Sequence, residues 1–395
     1  MVSTATPQSL EPAPVVEVEP DRKPGFSLAR PLAAPLLAYA ASRVLTTCAV
    51  LLAASASHQS VHRVFTVWDG RWYEKIALHG YPTNVPQGDF YLHTGRQVQS
   101  AVAFFPLYPL LVRVLDKVLP GDAAVAGIVL SLLIGAAATV LVWIVADKVA
   151  GRRVADRAAI LFAFSPGAFV LSLVYAEGLL VLLSAGALLA LLERRWLLAG
   201  VLAALASATR PNATAVALAC AWAAGVAIWQ RREWRALVAP VLAPVGMLAF
   251  FVFLWWHSGE AFMWFRVESQ GWGERIDLGW YNLSIVGHVI TDPLHNPNNI
   301  VLVVSMVSAI VLMVVLVRAK LPAVFNVYAI SGLCLVLASH INARPRFIFV
   351  AFPIVIALAK VIRRQTAFMV LAATFAATTV MLTVFYGLHR LNYYP

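Results

Sequence analysis

The sequence predicts an all-α polytopic membrane protein, and three observations carry that expectation. Its 395 residues are 61% hydrophobic and 12% charged, about half the charged fraction of a soluble globular domain. Mean hydropathy is +0.78. Apolar runs near the ~20 residues needed to cross a hydrocarbon core recur along the whole chain. No stretch has the composition of a separate soluble domain, so chemistry must come from loops and helix ends.

Residues 1–30 intersperse Pro7, Pro12, Pro14, Pro20 and Pro24 with Glu11, Glu17 and Glu19. They show no apolar periodicity, as expected of a disordered tail, and lack the basic start, short apolar core and cleavage site of a signal peptide. Residues 31–395 are expected to form one transmembrane domain. Eleven spans are expected, at approximately 32–54, 122–147, 157–174, 178–192, 196–209, 212–230, 236–256, 299–317, 323–340, 346–360 and 366–387. Cys48, Cys220 and Cys334 each lie within an apolar run; their spacing suits neither a disulfide framework nor a metal site.

A cytoplasmic N-terminus gathers basic residues into short cytoplasmic segments, as the positive-inside rule requires. These are Arg22, Lys23 and Arg30; Lys148, Arg152, Arg153 and Arg157; Arg194 and Arg195; Arg231, Arg232 and Arg235; Arg318 and Lys320; Lys360, Arg363 and Arg364. They make up more than half of the 30 Lys and Arg residues. Two long loops, 55–121 and 257–298, then lie on the outer face, as does the C-terminus from His389 to Pro395. A multi-pass plasma-membrane protein is expected. The net charge of +11 follows from this topology, and no nucleic-acid partner is implied.

The first long loop holds Trp68-Asp69-Gly70, followed by Arg71-Trp72-Tyr73-Glu74-Lys75-Ile76-Ala77. Trp68, Trp72 and Ile76 recur at helical spacing, and tryptophan favours the membrane interface. A short surface helix over Gly70–Ala77 is expected, with Asp69 at its start. Asp69 is there either an N-cap or a general base held at headgroup depth. Further on, Phe104-Phe105-Pro106-Leu107-Tyr108-Pro109-Leu110-Leu111 reads as an interfacial helix that packs the loop down, or as a wall for a lipid chain.

Other ionisable groups stand where apolar surroundings make them costly. Glu177 follows Tyr175-Ala176 at the turn between the third and fourth spans, and Arg210 occupies the matching turn Thr209-Arg210-Pro211-Asn212. Arg344 and Arg346 flank Pro345, and Arg43 lies midway along the first span. Arginine's planar fork suits phosphate, whereas headgroup snorkelling is the plainer role for a basic residue at a span end. The second long loop reads Trp264-Phe265-Arg266-Val267-Glu268-Ser269-Gln270-Gly271-Trp272-Gly273, which suits sugar binding and an interfacial anchor equally. The chain has no adjacent acid pair, no Asp-x-Asp and no Gly-rich phosphate loop. A metal-bound nucleotide sugar is therefore not expected, and no cofactor is expected.

Taken in order, these motifs resemble the PIG-V family, the GPI mannosyltransferase II type of GT-C glycosyltransferase. The resemblance runs through Trp68-Asp69-Gly70, Gly80-Tyr81-Pro82, Phe104 to Leu110, Ser165-Pro166-Gly167-Ala168, Tyr175-Ala176-Glu177-Gly178, Thr209-Arg210-Pro211-Asn212, Arg344-Pro345-Arg346-Phe347 and Ala351-Phe352-Pro353. It implies a GT-C fold with its active site on the outer face and a polyprenyl-phosphate-mannose donor. It maps the family's Trp-Asp motif onto Trp68 and Asp69, and its Glu and Arg positions onto Glu177 and Arg210. The Ala-, Val- and Arg-rich composition resembles that of an actinobacterial member, whose acceptor would be a glycolipid, glycan or protein rather than a GPI precursor. Candidate catalytic residues are thus Asp69 and Glu177, with Trp68, Trp72, Tyr175, Arg210, Arg344, Arg346 and Arg43 for substrate binding. A flippase for a lipid-linked sugar, or a transferase of another polyprenyl-phosphate sugar, is the alternative; a flippase predicts internal repeats and ionisable groups at the midplane.

Overall fold

Helices account for all regular structure among the described residues, apart from one isolated bridge between Ile276 and Ser339. The computed structural model describes residues 32–86, 99–294, 296–340 and 344–388; the expected N-terminal tail and His389–Pro395 lie outside them. Six helical segments are long and apolar enough to cross a membrane: Ala33–Ser57, Ala123–Ala150, Pro211–Arg231, Trp234–Ser258, Asn298–Arg318 and Gln365–Leu388. Shorter apolar helices run over Glu177–Leu192, Trp196–Ser207 and Ala323–Leu337.

The long helices α1 (Ala33–Ser57) and α18 (Gln365–Leu388) pack along one another. Helix α5 (Ala123–Ala150) lies against α6 (Arg152–Ala163) and α7 (Glu177–Leu192), and α7 against α8 (Trp196–Ser207). Helix α9 (Thr214–Arg231) packs on α15 (Ala323–Leu337). Many of the contact positions are alanine, as at Ala199, Ala203, Ala206, Ala215 and Ala219, all buried. Small residues let helix backbones approach closely where lipid offers no hydrophobic drive for association.

Three expected spans are not single helices. The 157–174 segment is helical only to Ala163, because Pro166 cannot continue the helix; a 3-10 turn over Ala168–Ser172 leads to α7. The 346–360 segment divides into α16 (Pro345–Val350) and α17 (Pro353–Val361), each opening on a proline, the position where a missing N–H costs nothing. The 236–256 segment is jointed at Pro244, between α10 (Val238–Leu242) and α11 (Val245–Ser258).

The first break exposes carbonyls that apolar surroundings cannot solvate. Arg43 meets them. Its Nη1 donates to Ala168 O and Ser172 Oγ, both at 2.9 Å, its Nη2 to Ala163 O at 3.1 Å, and its Nε to Ser42 Oγ at 3.2 Å. Thr379 Oγ1 of α18 donates to Phe164 O and Ser165 O, at 2.9 and 2.8 Å. The break also turns the chain so that Glu177 begins α7.

The first long loop folds into α2 (Val61–Thr66), α3 (Asp69–His79) and α4 (Leu107–Asp116). Helix α3 covers the expected helix over 70–77, starts one residue earlier and buries Asp69, Tyr73, Ile76 and Ala77. Arg113 caps its C-terminus, donating to Ala77 O at 2.5 Å and Leu78 O at 3.2 Å. The second long loop holds α12 (Met263–Val267), a π-helical turn over Glu268–Trp272 and α13 (Trp280–Thr291). It is tied to the first: Trp264 Nε1 donates to Ala103 O at 3.3 Å, and Arg266 Nη2 to Val85 O at 3.1 Å.

Candidate active site

Asp69 is the first residue of α3, and the residue before it, Trp68, caps the helix at φ 61° and ψ −118°. A bulky residue at positive φ is strained, and such strain persists only where surrounding contacts impose it. Here they do. Val174 N–H donates to Phe65 O at 3.2 Å, and Tyr386 Oη of α18 donates to Val67 O at 2.7 Å. The Tyr386 hydroxyl also meets that of Tyr175 at 3.1 Å. One hydroxyl pair thus couples the last helix, the turn before Glu177 and the turn before Asp69.

Four charged side chains meet beyond this point. Arg346 Nη1 lies 2.6 Å from Asp69 Oδ2 and 3.3 Å from Glu177 Oε1. Arg210 Nη1 lies 2.8 Å from Glu177 Oε1 and 3.7 Å from Asp69 Oδ2. Each guanidinium therefore bridges both carboxylates, and the four charges cancel. Glu177 is fully buried, Arg346 is 6% exposed and Asp69 9%. The Phe347 ring carries both cations, with Arg346 Cζ 4.7 Å and Arg210 Cζ 5.7 Å from its centroid, and Arg346 also lies 5.4 Å from the Tyr175 ring.

The backbone reaches this arrangement through a close crossing. A Cβ on Gly167 would meet the Pro345 carbonyl oxygen and lie 2.6 Å from Phe349 Cβ and 2.8 Å from Arg346 Cα. Glycine at 167 lets α16 seat against the Ser165–Pro166–Gly167 turn, which aims Arg346 at Asp69.

The network does not exhaust its own hydrogen-bonding capacity. Glu177 Oε2 and Arg346 Nε are buried without a partner, and Asp69 Oδ1 accepts no hydrogen bond among the described residues. Buried ion clusters are costly to assemble, and such groups concentrate at functional sites. An arrangement with spare acceptors on two acids and a spare donor on an arginine can take a hydroxylated, anionic ligand.

Aromatic side chains wall the site on the loop side. Trp72 stacks on Phe104 with centroids 6.0 Å apart, and Trp272 of the second loop packs edgewise on Trp72 and Phe104 at 5.7 and 5.5 Å. Lys75 Nζ lies 5.4 Å from the Trp72 ring. Two acids in the second loop face the same region. Burial and the charge of Glu274 hold Glu268 well above the usual carboxylate range, against the pull of Arg210. Burial pushes Glu274 up to about 7, against the pull of Arg344 and Arg346.

Of the residues singled out from sequence, Asp69, Glu177, Arg210 and Arg346 come together, with Tyr175 beneath them and Trp68 adjoining. Trp72 belongs to the aromatic wall. The charge of Arg344 acts on Glu274. Arg43 stands apart, its donors taken by the broken helix and none by the acids. Sequence reasoning missed Tyr386, whose hydroxyl in an otherwise apolar helix end was a usable signal, and Glu274, one step past the aromatic stretch it had noted. Among the described residues no group of three or more His, Cys, Asp and Glu could hold a metal ion.

Comparison with solved structures places the fold. The chain is similar to ArnT from Cupriavidus metallidurans bound to undecaprenyl phosphate, with a TM-score of 0.50 and 14% identity over 90% of this chain and 71% of that one. It is also similar to the oligosaccharyltransferase of Archaeoglobus fulgidus in the apo form, with a TM-score of 0.44 and 14% identity over 89% of this chain and 56% of that one. A comparison with curated protein sequences finds no match. The helical architecture is that of the GT-C membrane fold. Residues 34–227 match the model of the family described as Mannosyltransferase (PIG-V).

Proposed function

We propose that the protein transfers a mannosyl residue, with inversion, from polyprenyl-phosphate mannose to a glycolipid or glycan on the outer face of the plasma membrane. The family description supports mannose, and the undecaprenyl phosphate carried by ArnT supports a polyprenyl carrier. The observation that carries the reading is the buried network of Asp69, Glu177, Arg210 and Arg346. Asp69 Oδ1 accepts the proton of the acceptor hydroxyl as its oxygen bonds to C1 of the sugar. The bond from C1 to the phosphate oxygen breaks, and its electron pair leaves with polyprenyl phosphate. Arg346 and Arg210 stabilise the charge that grows on that phosphate, and do so without reorganisation because the protein already holds them. Glu177 orients the sugar through its unpartnered oxygen.

The test is transfer of label from polyprenyl-phosphate mannose in membranes containing the wild type or Asp69→Asn, with polyprenyl-phosphate arabinose as a parallel donor. Loss of transfer in the folded variant supports Asp69 as the base. Wild-type transfer of arabinose but not mannose would replace the sugar and keep the mechanism.

A further inference from the structure

The second long loop carries features that the transfer network does not use. Its π-helical turn, Glu268–Trp272, runs on to Glu274, whose N–H returns to Glu268 O at 2.9 Å. Single π turns are rare and recur at functional sites. Three side-chain atoms of this turn are buried without a hydrogen-bond partner: Gln270 Oε1, Trp272 Nε1 and Glu274 Oε2. Native proteins satisfy nearly all such atoms, because one left alone is unfavourable. Three within five residues mark a place that a polar ligand completes. Two acceptors and one donor complement a sugar, whose hydroxyls both donate and accept.

The turn adjoins the reacting groups. The Trp272 ring lies 5.7 Å from that of Trp72, the charges of Asp69 and Arg210 act on Glu268, and that of Arg346 acts on Glu274. Beyond Glu274, Arg275 and Ile276 are exposed. The turn therefore runs from the neighbourhood of the network toward solvent.

The geometry points to an acceptor subsite in which Gln270, Trp272 and Glu274 bind hydroxyls of the acceptor's terminal sugar and present the attacking one to Asp69. This rests on the mannosyl-transfer reading. Glu268 closes the turn behind them.

The experiment uses the purified full chain, labelled polyprenyl-phosphate mannose, and octyl mannoside, octyl glucoside and octyl galactoside as acceptor probes, with water as the competing acceptor. Trp272→Phe keeps the ring packing and removes the N–H. Gln270→Ala removes the amide, and Glu274→Gln exchanges an acceptor for a donor at constant volume. Each is expected to raise the KM for the best glycoside on the order of tenfold, the worth of about one hydrogen bond, and to divert product toward free mannose. The donor KM stays within about twofold, and melting curves confirm the fold. An unchanged acceptor KM, or an equal rise in donor KM, overturns the subsite, as does a wild type for which no glycoside outcompetes water. A wild type that releases no mannose from the donor overturns the transfer reading and the subsite with it.

Discussion

Two of the buried arginines, Arg43 and Arg346, differ in what they leave over. Arg43 is 7% exposed and spends its donors on backbone carbonyls and Ser172 of the interrupted third span and on Ser42 of its own helix. Its partners are neutral, and the arrangement is complete. Arg346 is as deeply buried, but it faces two carboxylates and keeps Nε unpartnered, while Glu177 keeps Oε2. The first arrangement finishes the fold. The second assembles four charges and stops short of satisfying them. Burial of an arginine in a membrane protein therefore does not itself mark a site; an opposing acid and an unfilled valence do.

Substitutions at the two places should separate activity from stability. The largest effect is expected from Asp69→Asn, which keeps volume but removes the proton acceptor. Transfer per folded molecule should fall about 10²–10⁴-fold, the usual worth of a general base, and the melting temperature should fall as well, because a buried cation loses its counter-charge. Arg346→Lys follows. Lysine keeps the charge but cannot span two carboxylates from a planar fork, and kcat should fall about 10²–10³-fold, as for loss of a transition-state donor. Initial rates with saturating donor measure both. If either variant transfers at wild-type rate while folded, the network is structural, and the contrast with Arg43 collapses.

Arg43→Met should lower stability alone. It strands the Ala163 and Ala168 carbonyls at about 1–3 kcal/mol each, so the protein should melt well below the wild type in detergent. The kcat per folded molecule should hold within about twofold. A folded Arg43→Met protein with lost transfer and unchanged melting would move Arg43 into the site.

How far this contrast was legible in the sequence depends on separation along the chain. Composition and span length identify a helical membrane protein, because hydropathy is a local property. Positions of Asp69, Glu177 and Arg210 in turns were also legible, since a charge between apolar runs stands out. Their assembly was not. Asp69 and Arg346 are separated by 277 residues, and sequence treats Arg344 and Arg346 alike, although it is Arg346 that pairs with Asp69. Arg43 drew a substrate-binding expectation because hydropathy cannot see a helix break. The 157–174 segment is apolar enough to read as a span, and the carbonyls that need Arg43 appear only once Pro166 has interrupted it.

The smallest expected effect tests the same contrast through pH. Glu274 is held up to about 7 by burial, against Arg344 and Arg346, and its carboxylic neighbour Glu268 is also held well above the usual carboxylate range by burial and by Glu274. A carboxyl whose folded value exceeds its unfolded value of 4.5 binds more protons folded than unfolded between the two. Stability must then fall as pH rises through that window, by at most about 1.4 kcal/mol per pH unit for one proton. Above about 7 this contribution is flat. Glu274→Gln cannot ionise, so its stability advantage over the wild type should grow from pH 4.5 to about 7 and then level off. The stability difference between Arg43→Met and the wild type should show no such slope, because the partners of Arg43 are carbonyls and hydroxyls that do not titrate there. Melting curves of the three proteins at half-unit steps from pH 4.5 to 8 measure both slopes. Parallel curves for wild type and Glu274→Gln would mean that Glu274 is solvated, and would remove the second loop from the set of incompletely satisfied groups that distinguishes the site from the Arg43 pocket.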